Sequence, residues 1–275
     1  MDFRDLKNCS SALIGGFKKI YALNGFKLPC DKSCFNKYLP MSRLENQVNA
    51  SSLMFVSPQK WTDTYETRYY HQGGYQCKTS NFVLPEIFCM CLTSKHAENE
   101  DAMWRMYAQK GEQMVRAYYN IDSLLSILDS DAVINGYKVY IGEIIYTDKT
   151  TIKALTPTKN NVFFHKPFVI ENYLSLMCLK RGAYRYENEI RIFIVPEVPL
   201  KDNSAPQVLF KVSHSPSHKY VDKVVLSPYP PFRASWPAPD TYTILQQKKA
   251  AAQTSLPGIL INASQFHEKC PKCRF

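Results

Sequence analysis

The segment Tyr186-Glu187-Asn188-Glu189-Ile190-Arg191 sets two carboxylates and a guanidinium at every second position. Successive side chains of a β-strand point to opposite faces, so Glu187, Glu189 and Arg191 would share one face and Ile190, Ile192 and Ile194 the other. A fixed carboxylate can stabilise the positive charge that develops on a sugar when its glycosidic bond to a good leaving group breaks. A second carboxylate two residues earlier can orient or deprotonate the incoming nucleophile. The same row of charges also decorates solvated sheet faces, where neighbouring charges are worth about 0–1 kcal/mol. The remainder of the chain has to decide between these readings.

The elements that must position these groups follow from the hydrophobic pattern. Strict alternation from Tyr186 to Val195, stopped by Pro196, predicts the strand that carries the carboxylates, and a helical pattern precedes it from Glu171 to about Lys180. Further strands are predicted at Leu53–Val56, Ile87–Leu92, Val115–Tyr119, Lys138–Thr147 after the Asn135-Gly136 turn, Lys223–Leu226 and Gly258–Ile261. Helices are predicted at Ser42–Ala50, from Asn99 or Asp101 to about Lys110, at Ile121–Leu128 and at Thr241–Ala252. Residues 1 to 34 read as a basic, partly helical N-terminal extension, 35 to 265 as the main domain and 266 to 275 as a Cys-x-x-Cys tail. His214 and His218, with Pro216 between them, read as loop residues.

Interleaved strands and helices make the chain a mixed α/β one. Its composition agrees, with 18 Tyr and 15 Phe against only 10 Gly among 275 residues. No apolar run approaches the ~18 residues needed to cross a bilayer, so no membrane association is expected. The first residues carry charges ahead of a short apolar stretch, the wrong order for a secretory signal, and the expected location is cytoplasmic. The formal charge of +10 favours polyanions, RNA among them. No Gly-x-Gly-x-x-Gly loop is present, which disfavours a dinucleotide-binding dehydrogenase.

Nine cysteines, an odd number, fit buried thiols in a reducing compartment better than a disulfide framework. Cys30, Cys34, Cys270 and Cys273, with His267 as a substitute, could supply a zinc site, but a second Cys-x-x-Cys is lacking and no metal is expected.

Tyr186-Glu187-Asn188-Glu189-Ile190-Arg191 resembles the Glu-x-Glu strand of ADP-ribosyltransferases. Other segments resemble, in the same order, a widespread family of uncharacterised bacterial proteins associated with that fold. They are Phe55-Val56-Ser57-Pro58 with Trp61-Thr62-Asp63-Thr64-Tyr65-Glu66, Cys91-Leu92-Thr93-Ser94 with Ala102-Met103-Trp104-Arg105-Met106-Tyr107-Ala108, Val224-Val225-Leu226-Ser227-Pro228, and Gly258-Ile259-Leu260-Ile261-Asn262-Ala263-Ser264. The family usually has Asn-Asp-Pro-Phe-Glu where this chain has Thr62 to Glu66, retaining Asp63 and Glu66.

The resemblance implies an α+β fold, an ADP-ribosyltransferase-like split, mainly antiparallel sheet with flanking helices. It implies transfer of ADP-ribose from NAD to a macromolecule, with Glu189 as the catalytic glutamate and Glu187 as its acceptor-facing partner. The family's NAD-gripping Arg or His on the first core strand has no clear counterpart. Tyr38 stands in that region with Lys37 or Arg43 as the phosphate contact, and Ser57 falls near the second strand. Trp61 and Tyr65 in a loop, and Trp104 and Tyr107 three apart on a helix, are the aromatic candidates for the walls of an NAD pocket. The setting implied is a bacterial toxin held by an antitoxin, or an anti-phage effector, with RNA or protein as acceptor. The rivals are a non-catalytic nucleic-acid-binding module using basic residues with Trp61, Tyr69 and Tyr70, and a sensor or interaction protein that has lost NAD binding.

Overall fold

The computed structural model describes residues 11–28, 35–63, 65–66, 85–94, 100–107, 112–154, 169–198, 207–228 and 241–263. Their strands are β1 (Ser11–Leu13), β2 (Ile20–Leu23), β3 (Phe35–Pro40), β4 (Ser52–Val56), β5 (Phe88–Ser94), β6 (Met114–Tyr119), β7 (Tyr137–Glu143), β8 (Ile145–Thr147), β9 (Leu179–Arg181), β10 (Glu189–Pro196), β11 (Leu209–Ser213), β12 (Val221–Leu226) and β13 (Leu260–Ala263). The helices are α1 (Met41–Asn49), α2 (Glu100–Tyr107), α3 (Ile121–Asn135), α4 (Lys149–Ala154), α5 (Ile170–Leu176) and α6 (Thr241–Ser255). The architecture is a large, mostly antiparallel sheet flanked by helices, as an α+β chain requires. Among the described residues no helix is long and apolar enough to cross a membrane.

The chain divides into two compact units, residues 1–29, 53–92 and 125–212 in the first and 30–52, 93–124 and 213–275 in the second. In the first, the strand order is β1-β2-β7-β10-β5, and β4 pairs with both β5 and β11. β10 runs antiparallel to β7 from Ile190 opposite Glu143 to Pro196 opposite Tyr137, while β2 joins β7 in parallel. With a strand on each side, β10 is interior to the sheet, and Glu189 to Val195 are all buried. The alternation expected up to Val195 therefore gives way to the consecutive apolar residues Ile192, Phe193, Ile194 and Val195, as burial of both faces requires.

Helix α5 supplies Tyr173, Leu174 and Leu176 to a core with Ile87, Cys89, Ile144, Leu179 and Phe193. Full burial of each such side chain is worth about 1.5–3 kcal/mol. The helix ends at Leu176, earlier than the sequence pattern suggests, and the chain turns through Met177 and Cys178 into β9, which pairs in parallel with β8. The Asn135-Gly136 turn forms as expected. Gly136 adopts φ +69°, the left-handed conformation that closes α3, and its N–H donates to the Ala132 carbonyl. Where the pattern suggested a partly helical leader before Phe35, residues 11–23 instead contribute β1 and β2, because Ile20, Ala22 and Leu23 are buried beside β7.

In the second unit the order is β3-β6-β12-β13, antiparallel except for the parallel pair β12 and β13, and β3 also pairs with Thr93 and Ser94. Helix α1 follows β3 directly. It buries Met41, Leu44 and Gln47, one stripe at three-residue spacing.

Candidate functional site

The carboxylates predicted to share a strand face meet by another route. β10 begins only at Glu189; Glu187 closes a 3-10 helix over Gly182–Glu187, and Asn188 between them takes φ +43°. Asparagine is one of the few residues besides glycine that enters this left-handed region readily. The reversal at Asn188 brings Glu187 back to the side of the sheet that Glu189 faces, so side-chain alternation is not the cause of their juxtaposition. Nor do the two groups project from solvated sheet: Glu187 is 2% and Glu189 5% exposed.

One lysine joins them. Lys180, on β9, directs its ammonium to Glu187 at 2.8 Å and Glu189 at 2.7 Å, with Glu66 at 3.4 Å. Arg191, two residues along β10, donates from Nε to Glu189 at 2.7 Å, pairs through Nη2 with Glu66 and donates from Nη1 to the carbonyl of Met177 at the end of α5. A cation at a helix C-terminus is favourably placed against the helix dipole. The Arg191 guanidinium also lies 4.2 Å from the centre of the Trp61 ring.

Glu66 is delivered by a local turn. The Asp63 side chain accepts from the Tyr65 N–H at 2.8 Å and its carbonyl from the Glu66 N–H at 3.0 Å. The Glu189 backbone is fixed as well, its N–H donating to the Tyr146 hydroxyl at 2.9 Å and its carbonyl accepting from Ile144 at 2.9 Å.

Three carboxyl groups therefore face two cations in a buried space, and the environment separates the proton affinities of the two predicted glutamates. Burial and the neighbouring carboxylates Glu189 and Glu66 outweigh the attraction of Lys180 at Glu187, raising it from 4.5 to about 7. Burial works in the same direction at Glu189, but Arg191 and Lys180 overcome it and hold that group at about 2. Burial depresses Lys180, yet Glu189, Glu66 and Glu187 together leave its ammonium well above the usual lysine range. A proton on Glu187 brings the five groups to charge balance. The cluster thus holds one firmly ionised carboxylate beside one that exchanges a proton near neutrality, the division of labour that acid–base chemistry on a glycosidic bond needs.

The other predicted residues are placed as follows. Trp61 packs on the core of the first unit beneath Arg191, and Tyr65 lies 4.8 Å from the guanidinium of Arg181. Ser57 is buried and caps a short 3-10 helix by accepting from the Gln59 N–H at 3.3 Å, which gives it a local structural task. Lys37, Tyr38, Arg43, Trp104 and Tyr107 belong to the second unit. There Tyr38 stacks on Tyr107 at 5.7 Å and meets the edge of Trp104 at 4.8 Å, while Arg43 is exposed on α1. Trp104 is fully buried, so of that pair it is core, whereas Tyr107 is half-buried. Tyr69, Tyr70, Thr64, Cys30, Cys34, His267, Cys270 and Cys273 lie outside the described residues. Cys89 and Cys178 are buried and Cys91 half-buried, and among the described residues no group of three or more His, Cys, Asp or Glu side chains is placed to hold a metal ion.

Sequence reasoning on the motif alone missed Lys180 and the closing role of Glu66. The Asp63-to-Glu66 spacing was a visible signal for the second; nothing in the pattern around Lys180, which read as the end of a helix, pointed to the first. No protein-family model matches this chain, and no curated protein or solved structure matches it.

Proposed function

We propose that this protein transfers ADP-ribose from NAD to a macromolecular acceptor, with the chemistry at Glu187 and Glu189. The observation that carries this reading is the meeting of both carboxylates on a single ammonium, at 2.8 and 2.7 Å, in a space built to stabilise positive charge. An oxocarbenium-like ribosyl group is the cation such a space serves during reaction. The bond between ribose C1′ and the nicotinamide nitrogen breaks, and nicotinamide leaves with the electron pair. Glu189, firmly ionised, faces the developing charge. The acceptor then forms its bond to C1′, and its proton passes to Glu187. Lys180 must swing aside for the ribose, which its flexible stem permits.

RNA is the acceptor that the +10 charge favours, since the field that attracts a dinucleotide also attracts a polyanion. A toxin or anti-phage effector is the setting suggested by the family resemblance of the Glu-x-Glu and Met-Trp-x-x-Tyr-Ala segments. A second reading has its own support: Lys180 and Arg191 satisfy the carboxylates so fully that the cluster can serve purely as a structural ion-pair network. The protein would then be a nucleic-acid-binding module or a sensor.

Incubation with NAD labelled on its ADP-ribose half, together with total RNA or cell lysate, separates these readings. Label transfer by the native protein, lost in a folded Glu189→Gln variant, supports the transferase. Salt-sensitive RNA binding without transfer supports the module, and neither supports the sensor.

A further inference from the structure

Arg181, the residue after Lys180, is outside the carboxylate cluster, and its surroundings are those of an anion site. Its guanidinium lies 4.8 Å from the ring centre of Tyr65 and 5.0 Å from that of Tyr184. A single nitrogen, Nη2, meets both the Asp63 carboxylate and the Tyr184 hydroxyl, each at 2.8 Å. Nε is buried and has no hydrogen-bond partner among the described residues. The Arg181 side chain as a whole keeps 32% of its surface accessible, and an acceptor from outside the chain can reach it there. A second cation stands close by: Lys149, exposed at the start of α4, has its ammonium 5.3 Å from the Tyr65 ring. Among the described residues the group sets two cations, Arg181 and Lys149, around the Asp63 carboxylate.

The geometry points to Arg181 and Lys149, held by Tyr65 and Tyr184, as a phosphate-binding site for a nucleotide. Arginine presents planar, pre-organised donors to phosphate oxygens, lysine adds a mobile point charge, and the tyrosine rings offer faces to a base. Tyr184 couples this site to the carboxylates, for its ring also lies 5.1 Å from the Lys180 ammonium. An anion drawn to Arg181 thus lands one side chain from the lysine that bridges Glu187 and Glu189. The identification of the ligand as a nucleotide rests on the proposed transferase reading, whereas the anion site itself rests on the contacts just described. The phosphate can belong to a free nucleoside diphosphate moiety or to a polynucleotide backbone.

Calorimetric titration of the full chain with ADP, adenosine and a short oligoribonucleotide tests the site. ADP should bind and adenosine should bind at least about tenfold more weakly, the loss expected when charge-assisted hydrogen bonds are removed. Arg181→Lys should weaken ADP binding about tenfold or more with an unchanged melting temperature. Should that variant fail to fold, Lys149→Ala, on an exposed side chain, decides alone by weakening ADP binding. Tighter binding of the oligoribonucleotide than of ADP assigns the phosphate to a polynucleotide, and the reverse to a nucleoside diphosphate; both uphold the site. Absence of ADP binding, equal binding of adenosine, or equal ADP affinity in the deciding variant overturns it. Binding lost on substitution in a protein that transfers no label from NAD keeps the phosphate site and discards the transferase. Transfer that is indifferent to both substitutions does the opposite.

Discussion

The ammonium of Lys180 stands 2.8 Å from Glu187 and 2.7 Å from Glu189, so one side chain on β9 ties the end of a 3-10 helix to the first residue of β10. Two residues that are neighbours in sequence but lie on different elements share a counterion carried by a third element. The consequences concern stability, pH response and chemistry alike.

Replacing Lys180 by methionine leaves three buried carboxyls against Arg191 alone. Stability should fall by about 3–5 kcal/mol, the usual effect of removing one partner of a buried ion pair. Adding Glu187→Gln should recover part of the loss, because a neutral amide no longer needs the ammonium. Urea denaturation of the two single variants and the double variant measures the coupling; strict additivity would mean that the contact contributes nothing.

The cluster should make stability decline as pH rises toward neutrality. Glu187 binds its proton more tightly folded, at about 7, than unfolded, near 4.5. Between those values the native state holds a proton that the unfolded chain has released, so stability falls with increasing pH, on the order of 3 kcal/mol in all. Glu189 acts oppositely: held at about 2, its contribution is complete above pH 4.5 and is lost as pH falls toward 2. The two contributions together are greatest near pH 4.5. Urea midpoints at pH 5 and 7.5 should differ in the native protein, and the difference should shrink in Glu187→Gln.

Catalysis, on the proposed mechanism, should need Glu187 without its proton. Transfer from labelled NAD should rise with pH through an apparent pKa near 7 and then level. In Glu187→Gln the rate should fall about 10²–10⁴-fold and lose this rise. A variant that keeps both the rate and the pH profile would remove Glu187 from the mechanism.

Asn188 holds the reversal that makes the carboxylates neighbours. At φ +43° a β-branched residue is strained, and Asn188→Val should cost about 1–2 kcal/mol, whereas Asn188→Gly should change stability by no more than about 1 kcal/mol. If valine is accommodated only by opening the turn, the Glu187 proton should titrate lower, readable as a smaller difference between urea midpoints at pH 5 and 7.5.

Much of the framework was legible in the chain itself. The apolar runs at Leu53–Val56, Ile87–Leu92, Val115–Tyr119 and Lys223–Leu226, and the helix expected over Ser42–Ala50, lie close to where hydrophobic period and turn residues put them. These signals are local: burial of one face or both is written into every second or every third and fourth residue. The expected sharing of one strand face holds for Glu189 and Arg191 on β10, whereas Glu187 closes the 3-10 helix before it. What escaped the sequence was contact across elements. β1 and β2 are short, β2 held by β7 far along the chain and β1 by β2, so their own sequence carries little strand signal. Lys180 sits at a helix-to-strand transition that only the packing of Tyr173, Leu174 and Leu176 enforces. The sequence alone determined which groups were available for chemistry and the strands that would carry most of them. Only the tertiary structure decided that a lysine would bridge them and an asparagine turn would join them, because charge pairing in a buried space depends on distances that no periodicity encodes.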